Sequence, residues 1–278
     1  MIRKGGIGML NKASIQPEIN WKIVIIYIIL SYSITWSILF PLSVVYNNLD
    51  HITREIWHSF GSIGPTIGGI SALYLLKRKH GLKLLKERLM KYSGYKLLLF
   101  ALIPILILII VLFFETIFGF FNIAIFFLDN DITSPISFLI FVIPSFCYGY
   151  FEEIGWRGFL LPNLQTKYKA LKATLILTIV WWFWHFPTFF YRFDLLFALL
   201  FMFPLMLTGS IVFTFLFNQS NGSVLMVIIL HICYDLVTSH QFSISAIIVV
   251  STLFIFMDIR IVKLYGYENL SSFKRVLL

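Results

Sequence analysis

The sequence predicts an all-α, polytopic membrane protein with about eight transmembrane helices and both termini cytoplasmic. Composition carries the first argument: 59% of the 278 residues are apolar and 13% are charged, roughly half the charged share of a globular protein. Too few Lys, Glu, Asp and Arg remain to cover a soluble surface, whereas a lipid-facing surface needs none, and the mean hydropathy is +0.88. Size agrees, since eight spans of about 20 residues need about 160 apolar positions. The third observation is charge: 22 Lys and Arg against 13 Asp and Glu give +9, and their distribution reads as topology.

Apolar runs separated by polar or Gly/Pro punctuation mark spans at residues 23–45, 57–76, 97–118, 136–155, 173–190, 195–217, 224–237 and 244–261. The first run is too long for a signal-peptide core and lacks a small-residue cleavage site, so it is read as a retained span. The second holds Gly61, Gly64, Pro65, Gly68 and Gly69. No phosphate-loop lysine follows them, and small residues four apart allow close helix packing in a membrane. The block 77–91 alternates basic and apolar residues; it is read as a topology determinant, with an amphipathic helix on the inner leaflet as the second reading. With the N-terminus inside, the segments ending at 22 and spanning 77–96, 157–172 and 260–275 hold 20 of the 22 basic residues, leaving Arg54 and Arg192 outside. The resulting organisation is a cytoplasmic N-terminal segment 1–22, one transmembrane domain 23–261 and a cytoplasmic tail 262–278. Cys147 and Cys233 lie inside apolar runs, so neither a disulfide framework nor a CxxC metal site is expected.

An ionisable group inside a span is costly unless paired or hydrated, so each is a functional candidate. Three clusters qualify: Glu152, Glu153 and Arg157 where the fourth span ends, His185 in the fifth, and His231 with Asp235 in the seventh. His51, His58 and His80 are read as loop residues and His240 as a helix-end residue. At about 100° per residue, Glu153 and Arg157 share a face and form an i,i+4 ion pair. Glu152 faces about 100° away from Glu153, which leaves it as the better proton acceptor. The same spacing puts His231 and Asp235 on one face. Trp181 precedes His185 by one turn, and Pro187 withholds a donor from the carbonyl of Phe183, which predicts a kink. A single intramembrane His is more often a packing residue, but the orientation brings all three clusters to the cytoplasmic half. Their convergence argues against a purely structural role.

FEEIGWRGFLLP at 151–162 resembles the EExxxR signature of the CAAX protease and bacteriocin-processing family. WWFWH at 181–185 resembles its FxxxH signature with Trp181 in place of Phe, and HICYD at 231–235 resembles its third, a His followed four residues later by Asn or Asp. The resemblance covers 136–237. It implies an eight-helix intramembrane endopeptidase in which Glu152 activates water, His185 helps hold it, and His231 and Asp235 stabilise the oxyanion, supported by Glu153, Arg157 and Trp181. Asp235 stands where Asn donates more simply, so it must be protonated or orient His231, because an ionised carboxylate repels an oxyanion.

No cofactor is expected. The family's metalloprotease label makes zinc the alternative, with His185, His231 and Glu152 or Asp235 as ligands, although HExxH is absent. The expected function is hydrolysis of a peptide bond in a hydrophobic or lipid-modified peptide or membrane protein by glutamate-activated water. The alternative is a non-catalytic bacteriocin-immunity or scaffold protein on the same fold. Transport is disfavoured, since no duplicated halves are visible. The expected partners are the substrate and the lipid bilayer, with no nucleic acid; the oligomeric state is left open. Abundant Ile, Lys, Asn and Phe fit an AT-rich bacterial genome. They point to a bacterial plasma membrane and to a pheromone, bacteriocin or membrane-protein substrate.

Overall fold

A computed structural model describes residues 19–238 and 242–278. Residues 1–18 of the segment read as 1–22, and His240, lie outside the described residues. Every regular element within them is helical. The chain forms α1 (Trp21–Val45), α2 (His51–Phe60), α3 (Ile63–Leu89), α4 (Tyr95–Ala101), α5 (Ile103–Ile117), α6 (Ile123–Asp129) and α7 (Pro135–Gly155). It continues with α8 (Leu161–Lys167), α9 (Ala170–Trp184), α10 (Leu195–Phe197), α11 (Phe203–Gln219), α12 (Val224–Thr238) and α13 (Ile244–Asn269). Turns of π-helix join α7 to α8 at Trp156–Leu160 and α10 to α11 at Ala198–Met202.

Five stretches, Trp21–Asn48, His51–Leu89, Pro135–Lys167, Leu195–Gln219 and Ile244–Asn269, are long and apolar enough to cross a membrane. The α4–α5 pair, bent by 53°, makes a sixth if it is one span; Pro104 has no N–H to offer the carbonyl of Phe100 at that bend. α9 and α12 are apolar but shorter, at 15 residues each. All eight apolar runs of the sequence thus fall on helices. The surface is inverted relative to a soluble protein: Ile29, Ile109 and Phe113 are 56%, 58% and 60% exposed, while Glu152, Glu153 and Arg157 are 1%, 0% and 0% exposed. The protein is a multi-pass membrane protein.

α1 packs along α3, α3 along α7, and α7 along α12. Small residues set these distances. A Cβ on Gly64 would meet Thr35 Oγ1 at 2.3 Å, and one on Gly155 would meet the Pro65 carbonyl oxygen at 2.4 Å, so α1, α3 and α7 touch backbone to backbone.

Four expectations need correction. The second run begins earlier and is broken: Asp50 accepts from Thr53 N at 3.0 Å and starts α2, and α3 starts afresh because Pro65 cannot donate to the carbonyl of Gly61. That carbonyl accepts from Thr35 Oγ1 instead, at 2.7 Å. His51, His58 and His80 are therefore helical, not in loops. His58 is also buried, its ring stacked on Tyr148 at 4.7 Å between centroids and its Nδ1 2.7 Å from Tyr191 OH. The fourth run does not end at the glutamates, because the π turn carries it on to Lys167 and leaves Arg157 inside the bundle, not in a loop. Pro187 stops α9 instead of kinking it: Thr188 N and Oγ1 take the carbonyl of His185 at 2.8 and 2.7 Å, and residues Phe186–Phe190 turn as 3₁₀-helix. At the other end of the chain, α13 runs to Asn269, and residues beyond it pack on the bundle: Val276 N donates to Asn218 Oδ1 at 3.1 Å, and Gln165 Nε2 to the Val276 carbonyl at 2.8 Å.

Candidate active site

Three helices supply the site. α7 brings Glu152 and Glu153, α9 ends in Trp181 and His185, and α12 brings His231 and Asp235. Helical spacing sorts the two glutamates as their i,i+4 neighbours require. Trp156 Nε1–H donates to Glu152 Oε2 at 2.8 Å, and Arg157 Nη1–H donates to Glu153 Oε1 at 2.7 Å.

The neighbouring helices add a donor to one oxygen of each carboxylate. Trp181 Nε1–H also donates to Glu152 Oε2, so both indoles hold the same oxygen. The other oxygen, Oε1, is 4.0 Å from His185 Nε2. His185 Nδ1–H donates to the carbonyl of Trp181 at 3.0 Å, which makes Nε2 the acceptor nitrogen of the neutral ring. Glu153 Oε1 receives a second donor, His231 Nδ1–H, at 2.8 Å, and His231 Nε2 lies 3.6 Å from Asp235 Oδ2. The Arg157 guanidinium lies over the rings of Trp181 and Phe213, 5.3 and 5.0 Å from their centroids. Glu153, Arg157 and His231 thus form one buried network.

All seven residues singled out in the sequence meet here. Exposure is graded across them: the side chain of Glu152 is 1% accessible, that of His185 12% and that of Asp235 18%. The site is sealed behind the glutamates and open on the side of His185 and Asp235. Two contributors escaped the sequence reading. Trp156 lies one turn after Glu152, as Arg157 does after Glu153, so the same arithmetic would have found it. Phe213 comes from α11 and contacts both Arg157 and His231; nothing in its own sequence neighbourhood marks it.

Among the described residues no three His, Cys, Asp or Glu side chains are arranged to hold a metal ion. The Nδ1 of His185 is held by the Trp181 carbonyl and that of His231 by Glu153, the kind of outer contact that also orients a metal-binding imidazole.

The segment that builds this arrangement is also the one that matches known proteins. Residues 134–237 match the family described as type II CAAX prenyl endopeptidase Rce1-like. CAAX prenyl protease 2 of Methanococcus maripaludis is 30% identical over 111 residues. The match covers 37% of this chain and spans 39% of that relative's length. The matched region runs from the N-cap of α7 to the end of α12 and includes every residue of the site.

Proposed function

We propose that the chain is an intramembrane endopeptidase that hydrolyses a peptide bond in a hydrophobic or lipid-modified substrate with water activated by Glu152. The division of labour between the two Glu152 oxygens carries this reading: Oε2 is held by two indoles, and Oε1 faces the acceptor nitrogen of His185. A separation of 4.0 Å is too long for a direct hydrogen bond and suits one bridging water. That water donates one hydrogen to Oε1 and the other to Nε2, which leaves an oxygen lone pair for the scissile carbonyl carbon. As the C–O bond forms, the first proton passes to Glu152 and the carbonyl oxygen becomes an oxyanion. His231, protonated on both nitrogens with Nδ1–H held by Glu153, stabilises that oxyanion through Nε2–H, with Asp235 as a neutral donor or as the group that orients His231. Glu152 then returns its proton to the leaving nitrogen as the C–N bond breaks. Glu153, Arg157 and Trp181 position these groups.

Substrate enters on the open side, past His185 and Asp235. The name of the Methanococcus maripaludis relative points to prenylated CAAX peptides, and the composition of this chain to a pheromone, bacteriocin or membrane protein. We assign the chain eight spans with both termini cytoplasmic, in a bacterial plasma membrane. Removing buried Arg157 from the loop count leaves 19 of 21 basic residues on the cytoplasmic side, so the charge argument stands.

Glu152→Gln keeps the shape and removes the proton acceptor. Turnover of a quenched fluorescent peptide in detergent is expected to fall about 100-fold to 10,000-fold with the thermal midpoint unchanged, whereas Glu153→Gln is expected to lower that midpoint. Near-normal turnover by Glu152→Gln would sink the assignment in favour of a non-catalytic scaffold. Dialysis against a strong chelator is expected to leave activity intact. Activity lost to the chelator and restored by Zn²⁺ would instead make the histidines and a carboxylate metal ligands.

A further inference from the structure

Away from the glutamates, where the end of α3, the α11–α12 turn and the last residues of the chain meet, lies a cavity of about 450 Å³. Arg88, Lys91, Lys274 and Arg275 line it, against one carboxylate, Glu87. These cations come from two segments far apart in sequence. The final segment is fixed there by the bonds of Val276 to Gln165 and Asn218 and by Leu278 N donating to the Pro162 carbonyl at 3.2 Å.

Arg88 is 8% exposed. Its Nη2–H donates to the carbonyl of Leu277 at 2.8 Å, and its guanidinium lies 5.8 Å from the centroid of the Phe217 ring. Its Nη1 is buried with no hydrogen-bond partner among the described residues, an unmet donor that an anion would satisfy. Lys91 is steadied by the Asn221 carbonyl at 2.8 Å and Arg275 by the Gln165 carbonyl at 2.9 Å, with Glu268 3.4 Å from Arg275 Nη1. Just after Lys91 in the chain, Tyr92 and Tyr95 are 58% and 64% exposed, the amphipathic side chains that mark headgroup level.

We propose that this cavity binds a phosphate group, that of an anionic phospholipid headgroup, with the planar fork of Arg88 at its floor and Lys91, Lys274 and Arg275 at its rim. The full-length protein in neutral detergent is titrated with short-chain phosphatidylglycerol, short-chain phosphatidylcholine and inorganic phosphate, with binding followed by native mass spectrometry and thermal midpoint. Phosphatidylglycerol is expected to bind and stabilise well beyond phosphatidylcholine, and the double variant Lys91→Ala/Lys274→Ala to weaken it about 30-fold. That variant leaves the Arg88 contact to Leu277 in place, so folding is preserved. Lys83→Ala/Lys86→Ala removes the same charge from the exposed side of α3 and is expected to change affinity by less than about threefold. Inorganic phosphate binding that is lost with the rim variant supports a phosphate site open to free anions, and binding of the lipid alone supports a headgroup site. No preference for phosphatidylglycerol, or equal losses in the two double variants, would overturn the proposal.

Discussion

Glu152 and Glu153 are adjacent in sequence and differ in every partner. Glu153 is occupied by Arg157 and His231 within a sealed network, and removing one member of such a buried pair typically costs about 3–5 kcal/mol. Glu152 is held by one oxygen and presents the other toward His185. Asp235 is the residue whose form matters most to the proposed chemistry, because an ionised carboxylate would oppose a developing oxyanion. Asn has the same shape, supplies N–H donors and cannot ionise. Asp235→Asn is therefore expected to retain substantial activity, and Asp235→Ala to lose about 100-fold to 1000-fold in kcat. An Asn variant as inactive as the Ala variant would show that the carboxylate itself is required.

At the scale of elements, α7 matters because it does not stop. The π turn Trp156–Leu160 continues the helix after the glutamates, as such turns often do near functional groups, and Trp156 and Arg157 remain one turn from their acceptors. Contact between α7 and α3 fixes the height of Glu152, and it depends on Gly155, whose Cβ would lie 2.4 Å from the Pro65 carbonyl oxygen. Gly155→Leu is expected to force the helices apart, at about 1–3 kcal/mol in stability, and to lower kcat with it. A thermal midpoint and turnover measured on the same preparation would check this, and unchanged values in both would show that the contact is dispensable. The end of α9 has a similar logic: a proline two residues after His185 shows that the helix must change there, and the Thr188 bonds to the His185 carbonyl turn that change into a stop.

At the scale of the molecule, apolar side chains face outward and the ion-paired network faces inward, so the bilayer takes the place of a hydrophilic shell. The proposed orientation has a direct check. In a background lacking Cys147 and Cys233, a membrane-impermeant thiol reagent applied to intact cells is expected to label Asn48→Cys and not Lys274→Cys. The reverse pattern would invert the topology.

The sequence by itself determined the helical class, the eight apolar segments and the pairing of Glu153 with Arg157, because each follows from composition or from a spacing of three or four residues along one helix. His231 and Asp235 were legible for the same reason. Only the tertiary structure decided that Trp181 and Trp156 hold one oxygen of Glu152, that His231 joins Glu153, that Phe213 covers both Arg157 and His231, and that Arg88 meets the last residues of the chain. It also decided that Arg157 and His58 are buried, where the sequence reading had counted Arg157 at the cytoplasmic end of a span and His58 in a loop. Contacts between helices depend on how closely the backbones approach. That distance is set by small residues such as Gly64 and Gly155 acting on partners distant in sequence, which a reading of one helix at a time does not contain.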